Sequence, residues 1–452
     1  MEIDARLNHN LFGILGILVL FYELYRHLRG YWICQLLKKK KEAKQLRKPR
    51  VMKPKSERDC PLCQQEQGKR KLKIPEKPAA WSQRKGRGGR KKKVSTEGYF
   101  CPNPKCDYYG ITDEAIHGLV GYGWHGKHER IRDLKCQACG RKFTARRNTV
   151  LYRLKSSASM VEKTLWLLAL GVDVSVLEEV FQVREMTIRS WLCRSGMHGQ
   201  KLNEHFLVEL ELVHVQLDEL WANVKERGQE VWVWVASDAT SKLVPVLQVG
   251  GRTQVMAYGV VHELKHRLSA GYVPIFSTDG LKHYFYALTA HFGQWEIGEG
   301  KKAVWVILGE FMYAQVIKHQ RRRRTVEVER KMLWGEEKQY RERLKGAKLS
   351  GRINTAFVER INLTIRQNVS TLTRRTWGPA KSSGELLDHL EWWRSYYHFA
   401  RYHESLAEEL GQPILRKGKQ QAKRYRKRTP AMAAGLTDRR WTVKEVLSYP
   451  LL

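Results

Sequence analysis

Three acidic residues are spaced along this chain as a divalent-metal site would need them. Asp218 ends the polar series in ELVHVQLDEL, Asp279 closes the apolar run VPIFSTDG, and Glu359 lies in INTAFVERINLTIRQ. Carboxylates held together repel one another, so a cluster of them needs cations. Magnesium, or manganese in its place, takes oxygen ligands and keeps substrate phosphates in its shell. Two such ions, roughly 3.5–4 Å apart, activate an attacking oxygen and stabilise a leaving one. Singly, each acid has a plain explanation: Asp279–Gly280 is a common turn signal, and Glu359 alone is a helix-surface charge. The metal-site reading rests on the three together.

A second group points to a structural metal. Six of the eight cysteines fall in close pairs: Cys60/Cys63, Cys101/Cys106 and Cys136/Cys139. Such knuckles in a basic chain favour zinc over disulfides, and zinc takes four tetrahedral ligands, commonly thiolates. CPNPKC followed by CQAC predicts a zinc ribbon ligated by Cys101, Cys106, Cys136 and Cys139, with a hairpin between the knuckles and Phe143 packed over one of them. Cys60 and Cys63 could instead pair with Cys101/Cys106, hold a second metal, or be idle. His117, His125 and His128 are either further ligands or polar hairpin positions. Cys34 and Cys193 read as small apolar residues.

The elements around the acids follow from periodicity. Val213, Val215 and Leu217 alternate with His214, Gln216 and Asp218, which is strand period, with Asp218 on the polar face and Glu219 pointing the other way. Strands at 230–236 and 242–249, a helix at 253–268, a buried strand at 273–280, a helix bearing His283, Tyr284 and Leu288, a strand at 313–318 and a long helix from about Asn354 complete the series. That order predicts an α/β, RNase H-like mixed-sheet core. It places the acids mid-strand, at a strand end and on a late helix. On that helix Phe357, Ile361 and Ile365 form an apolar stripe. Glu359, Asn362 and Arg366 share another face, so Asn362 and Arg366 read as DNA-backbone contacts.

Before this core, segments 158–170, 174–181 and 184–193 read as three short helices. In the last, Ile188, Trp191 and Leu192 form one buried face. Arg184, Glu185, Thr187, Arg189 and Ser190 lie opposite. This suits a helix-turn-helix whose third helix reads DNA through Arg184, Thr187 and Arg189. The plain alternative is a helical bundle with a solvated face.

Composition points the same way. The 452 residues carry a formal net charge of +36, with 28% charged and 42% hydrophobic residues. A balance this basic favours a polyanion, with nucleic acid the first candidate and an anionic membrane surface the second; beside the helix-turn-helix reading, the nucleic acid expected is double-stranded DNA. The expected organisation is an apolar N-terminal helix (1–37), a basic linker with CPLC (38–97), a zinc ribbon (98–150) and a helix-turn-helix domain (156–200). A catalytic domain (208–410) and a basic tail (411–452) follow. The run LFGILGILVLFY at 11–22 falls short of the roughly 20 residues a membrane span needs, and it lacks the flanks of a signal peptide. It reads as a docking or buried helix, with a membrane-associating segment or a start codon assigned too far upstream as alternatives.

CPLC, CPNPKC, CQACGRKF, VQLDELWA, VWVWVASDATSKL, GGRTQVMA, VPIFSTDGLKHY, YAQVIK, INTAFVERINLTIRQ and RTPAMAAGLTDRRWTVKEVL follow one another over residues 60–450. In these pieces the chain resembles the DDE transposases of bacterial insertion sequences, the compact kind with an N-terminal zinc ribbon and helix-turn-helix. The resemblance implies catalysis by Asp218, Asp279 and Glu359, recognition of terminal inverted repeats, action on target DNA, and a homo-oligomer in the cytoplasm at the nucleoid, with no small-molecule substrate. It carries nothing onto residues 1–50. Competing readings are a catalytically inactive transposase descendant that only binds DNA, and an RNase H-fold nuclease such as a junction resolvase.

Overall fold

In the computed structural model of the chain, residues 78–84, 94–127, 129–225, 230–297, 303–322, 324–373, 378–414 and 423–451 are described. The apolar N-terminal segment, most of the lysine-rich stretch, Cys34, the Cys60/Cys63 pair and His128 lie outside them. The chain divides into a large unit, 58–294 with 307–452, and a second unit, 1–57 with 295–306.

The cysteine-bearing part of the large unit is a three-stranded antiparallel sheet of β1 (Leu119–His125), β2 (Ile131–Cys136) and β3 (Lys142–Thr144). Its core is small, built on Tyr108, Leu119 and the cysteines Cys101, Cys106 and Cys136, with Phe143 packed against them. Apolar burial on this scale does not hold a fold by itself. Ordered structure begins before residue 98. A helical turn at Trp81–Arg84 sets the Trp81 ring edge-on to Tyr108, and Trp81 N donates to Ile116 O at 2.8 Å.

Three helices follow: α1 (Ala158–Ala169), α2 (Val174–Phe181) and α3 (Glu185–Phe206). Ser157 and Asp173 cap the first two through their side chains, the role short oxygen-bearing residues favour. Ile188, Trp191 and Leu192 are buried as their spacing predicts. However, α3 continues well past Cys193. Leu202 joins a core that also contains Trp392, Phe399, Ala431, Val446 and Leu451. Residues 156–200 are therefore not a self-contained domain, and 411–452 is not only a basic tail. The charge of Arg416–Arg428 hid the apolar positions after it. Among these, VKEVLS is a short helix opened by a capping box between Thr442 and Glu445.

The central sheet has six strands: β4 (His214–Ala222), β5 (Val231–Asp238), β6 (Val246–Gly250), β7 (Ile275–Thr278), and, further along the chain, β10 and β11. Helices α4 (Gln254–Arg267) and α5 (Lys282–His291) flank β7 in sequence, and the hairpin β8 (Gly293–Ile297) and β9 (Ala303–Ile307) precedes β10 (Met312–Arg321) and β11 (Arg324–Trp334). The spatial order is β11-β10-β7-β4-β5-β6. β4, β5 and β6 pair antiparallel, β7 runs parallel between β4 and β10, and β11 returns antiparallel on β10. β11 is the one strand of this sheet that periodicity did not indicate. In RTVEVERK, Val326 and Val328 do alternate with Glu327 and Glu329, but the pattern is short and set among charged residues.

Both faces of the sheet are covered. Val215, Leu217 and Trp234 pack against α4 and α5. Opposite them, Leu220, Val233 and Val235 pack against α7 (Ala356–Asn368) and α8 (Ser383–Ser395), while α6 (Glu337–Gly346) covers Ile275 and Ala314. α8 also crosses α3 closely at Gly196 and Gly199. A Cβ at Gly196 would overlap the Asp388 carbonyl, and one at Gly199 would lie 2.7 Å from Glu391 O. After α8, a π-turn at Tyr396–Ala400 leads into a ribbon of β12 (His403–Ile414) and β13 (Lys423–Arg428). Among the described residues, no helix is long and apolar enough to cross a membrane.

Candidate active site and metal centre

The parallel pairing of β4 with β7 brings the two aspartates together. Leu217 lies opposite Thr278 in the register, so Asp218 and Asp279 are the next residues along adjacent strands. β7 ends at Thr278, leaving that edge of β4 without a strand neighbour beyond Leu217. Side chains from both faces of β4 can therefore reach the same point. Glu219 starts on the face opposite Asp218, as alternation requires, yet carboxylate oxygens of Asp218, Glu219 and Asp279 all lie within 4.8 Å of one another. Glu219 is the member of the cluster that sequence reasoning set aside. The adjacent acidic pair at the end of a strand run was its only signal.

Burial raises the Asp218 carboxyl to about 7, with the charges of Asp279 and Glu219 adding to the shift. Asp279 and Glu219 are raised too, again mainly by burial. A cluster of acids that resists ionisation in this way favours a cation among them. Glu219, only 2% exposed, is already engaged: Arg252 Nε donates to its Oε1 at 2.8 Å and Tyr284 Oη to its Oε2 at 3.0 Å. Arg252 lies in the turn after β6 and stacks on Trp232, 4.8 Å from the ring centroid.

α7 is held over the site by the polar row of β4. His214 Nε2 lies 2.8 Å from Ser277 Oγ and 3.3 Å from Tyr340 Oη of α6. Gln216 Oε1 accepts from Phe357 N and Val358 N at 3.1 and 3.0 Å, satisfying two of the free donors at the start of α7. Asp218 Oδ2 accepts from Asn362 Nδ2 at 2.8 Å. Three successive polar residues on one strand face thus anchor two covering helices. The buried stripe of α7 is Val358, Ile361 and Ile365. Phe357 is only half-buried and carries the Lys242 ammonium over its ring.

Glu359 sits one turn before Asn362 on α7 but outside the three-acid cluster. Its Oε1 accepts from Lys318 Nζ at 2.5 Å and from Thr355 Oγ1 at 2.6 Å. Its charge still contributes to raising both aspartates. Asn362 and Arg366 were expected on the DNA backbone, and here both serve the protein. Asn362 supports Asp218, and Arg366 donates to Trp221 O at 3.0 Å and Leu372 O at 3.4 Å. They are one and two turns along from Glu359, on the side that meets β4.

The cysteines meet as their spacing predicts. Sγ atoms of Cys101, Cys106, Cys136 and Cys139 lie within 4.8 Å of one another, with Cys101–Cys139 at 3.5 Å and Cys106–Cys136 at 3.9 Å. A tetrahedron with Zn–S bonds of about 2.3 Å has edges near 3.8 Å, so four thiolates this close fit one such ion. Sulfur hydrogen bonds led by Cys101 bring Cys136 down to about 5, whereas burial raises Cys106 to about 11. His117 Nδ1 accepts from Leu119 N, and His125 pairs with Asp133 at 2.9 Å, so both serve the hairpin.

Arg184, the N-cap residue just before α3, is exposed, and Thr187 in its first turn is half-buried. Arg189, the expected DNA contact, is instead tied into the protein. Its guanidinium bonds Glu185 of its own helix and Glu385 of α8. Sequence alone could not show that the side opposite Ile188 meets another helix.

No protein-family model and no curated protein matches the chain.

Proposed function

We propose that the chain is a DDE-type DNA transposase whose RNase H-like core uses Asp218, Asp279 and Glu359 as carriers of magnesium or manganese. The observation that bears most weight is the meeting of Asp218 and Asp279 at the edge of two parallel strands, with the Glu359-bearing helix anchored beside them through Asn362. A six-stranded mixed sheet flanked by helices is compatible with the α/β core that the order of strands and helices predicted, and it supports the RNase H-like reading. Two metal ions there would activate the attacking oxygen and stabilise the leaving one. The chain's own part is to place the carboxylates, through β4, β7 and the Gln216 and Asn362 contacts to α7. The four-cysteine unit fits a zinc ribbon, and α2–α3 fits a helix-turn-helix presenting Arg184 and Thr187.

The test is joining of pre-cut terminal-repeat DNA to a target in magnesium or manganese. Asp218→Asn, Asp279→Asn and Glu359→Gln should each abolish joining while leaving DNA binding in place. Wild-type inactivity with intact DNA binding would favour the second reading, a DNA-binding descendant without catalysis. One feature supports that alternative: Lys318 and Arg252 already neutralise Glu359 and Glu219 internally.

A further inference from the structure

β10 and β11 outrun the sheet they belong to. β10 pairs with β7 only from Met312 to Gln315, but with β11 all the way to Arg321. Val316 still packs in the core with Leu344 and Ile353, and from Lys318 outward the two strands form an exposed two-stranded ribbon. Four residues, Lys318 to Arg321, at about 3.4 Å each give it a reach of about 14 Å. From Lys318 to Lys331 its described side chains are almost all exposed, and this stretch carries seven Lys/Arg against two Glu.

Charge is concentrated where it costs most. Arg321 sits directly opposite Arg324 in the register, and Arg322 of the turn takes a left-handed backbone, φ 50°. Like charges facing across a ribbon are destabilising, and a tight hairpin turn ordinarily takes Asn or Gly at such a position. Among the described residues, the ribbon's ion pairs lie nearer its root: Lys318 with Glu359 and His319 with Glu329. None involves Arg321, Arg322 or Arg324. A strained, self-repelling tip is expected where an external anion compensates it.

We infer that the β10–β11 ribbon is an arm that grips a DNA duplex beside the carboxylate cluster. The inference rests on the reading of the chain as a DNA enzyme and adds where the duplex is held. A two-stranded ribbon fits the width of the major groove, and guanidinium groups suit phosphates. The root fixes the location, since Lys318 on β10 bonds Glu359 itself. A duplex lying along the arm therefore passes the acids.

The test compares the full chain with a variant carrying Arg321→Ala, Arg322→Ala and Arg324→Ala, binding a mixed-sequence duplex from 50 to 200 mM salt. Three phosphate contacts at a slope of about −0.9 each should make the wild type lose about 40-fold more affinity than the variant over this range. The matching Arg→Lys variant, which keeps the charge, should retain the wild-type slope. Removing exposed, mutually repelling side chains from a hairpin tip should not lower the melting temperature, and an undiminished transition verifies that the variants fold. If the wild type binds duplex but the alanine variant shows the same salt slope, the arm is refuted and the transposase reading stands. A lysine variant as weak as the alanine one would also refute it, because charge would not be the cause. If the wild type binds no duplex at all, and the tip instead binds polyglutamate as an acidic protein partner would be bound, both readings fall.

Discussion

Asp218→Asn should stabilise the metal-free protein while abolishing the strand joining proposed for it. The Asp218 carboxyl is raised from 3.8 to about 7, first by burial and then by Asp279 and Glu219. Below pH 4 both folded and unfolded chains hold the proton. Between about pH 4 and pH 7 the folded state keeps it and the unfolded state loses it. Stability therefore falls as pH rises through that window, by about 1.36 kcal/mol per unit. The full shift corresponds to about 4 kcal/mol, and relaxation of the site reduces this, so about 2–4 kcal/mol is expected at pH 8. Asparagine carries no charge to bury, and its Oδ1 can still accept from Asn362 Nδ2. At 2–4 °C per kcal/mol for a domain of this size, the variant should melt about 5–15 °C above wild type at pH 8 in magnesium-free buffer. The two should converge near pH 4. Magnesium should raise the wild-type transition at pH 8 and leave the variant unmoved. Thermal scans across pH, with the difference between the two proteins as readout, cancel the shared groups that do not interact with Asp218. A variant that melts below wild type at pH 8, or a difference independent of pH, would show that Asp218 is not a strained carboxylate awaiting a cation.

Other consequences can be checked separately. Protein purified without added zinc should contain about one zinc per chain, and Cys139→Ser should lower this and open residues 94–147 to trypsin, because so small a core needs its metal; intact protease resistance in metal-free protein would count against the site. Gly196→Ala should destabilise the protein by about 1–3 kcal/mol or more, since its Cβ would overlap the Asp388 carbonyl where α3 crosses α8; a neutral melting temperature would mean the crossing is looser than described. Gln216→Leu should cost about 1–3 kcal/mol by leaving Phe357 N and Val358 N without their acceptor. It should also weaken joining more than it weakens DNA binding, and equal losses in both would remove Gln216 from the positioning of α7.

The aspartates and cysteines were legible because their signals are local. A thiolate knuckle needs only a few residues of spacing, and an acid at the end of an apolar strand announces its place in a sheet. The register of β4 on β7 then does the rest. Partners were not legible. Arg189 read as a free cation because its position opposite Ile188 fits solvent as well as it fits α8. Asn362 and Arg366 share a helix side with Glu359 in the heptad sense, but helical periodicity does not say which surface that side meets. Glu219 was discounted because alternation puts it on the face opposite Asp218; it does start there, and it reaches the aspartates because no strand separates the two faces at that edge of β4 once β7 stops. β11 was missed because its alternation, Val326 and Val328 between Glu327 and Glu329, is only two residues long and follows a run of four arginines.

The partners of the carboxylates also separate their roles. Both glutamates hydrogen-bond to cations, Glu219 to Arg252 and Glu359 to Lys318. The aspartates receive neutral donors: Asn362 Nδ2 for Asp218 and Leu281 N for Asp279. The charge left without a bonded cation therefore concentrates at the aspartate pair, the point fixed by the β4–β7 register and the least adjustable in the site. Each glutamate is held at the margin by a residue of a different element, Arg252 from the turn after β6 and Lys318 from the root of the basic ribbon. Under the proposed function, a divalent cation held by the aspartates would compete with Lys318 for Glu359, and duplex DNA on the ribbon would compete with Glu359 for Lys318. The proposal therefore predicts that the two ligands are coupled through one ion pair, each strengthening the other to the same extent.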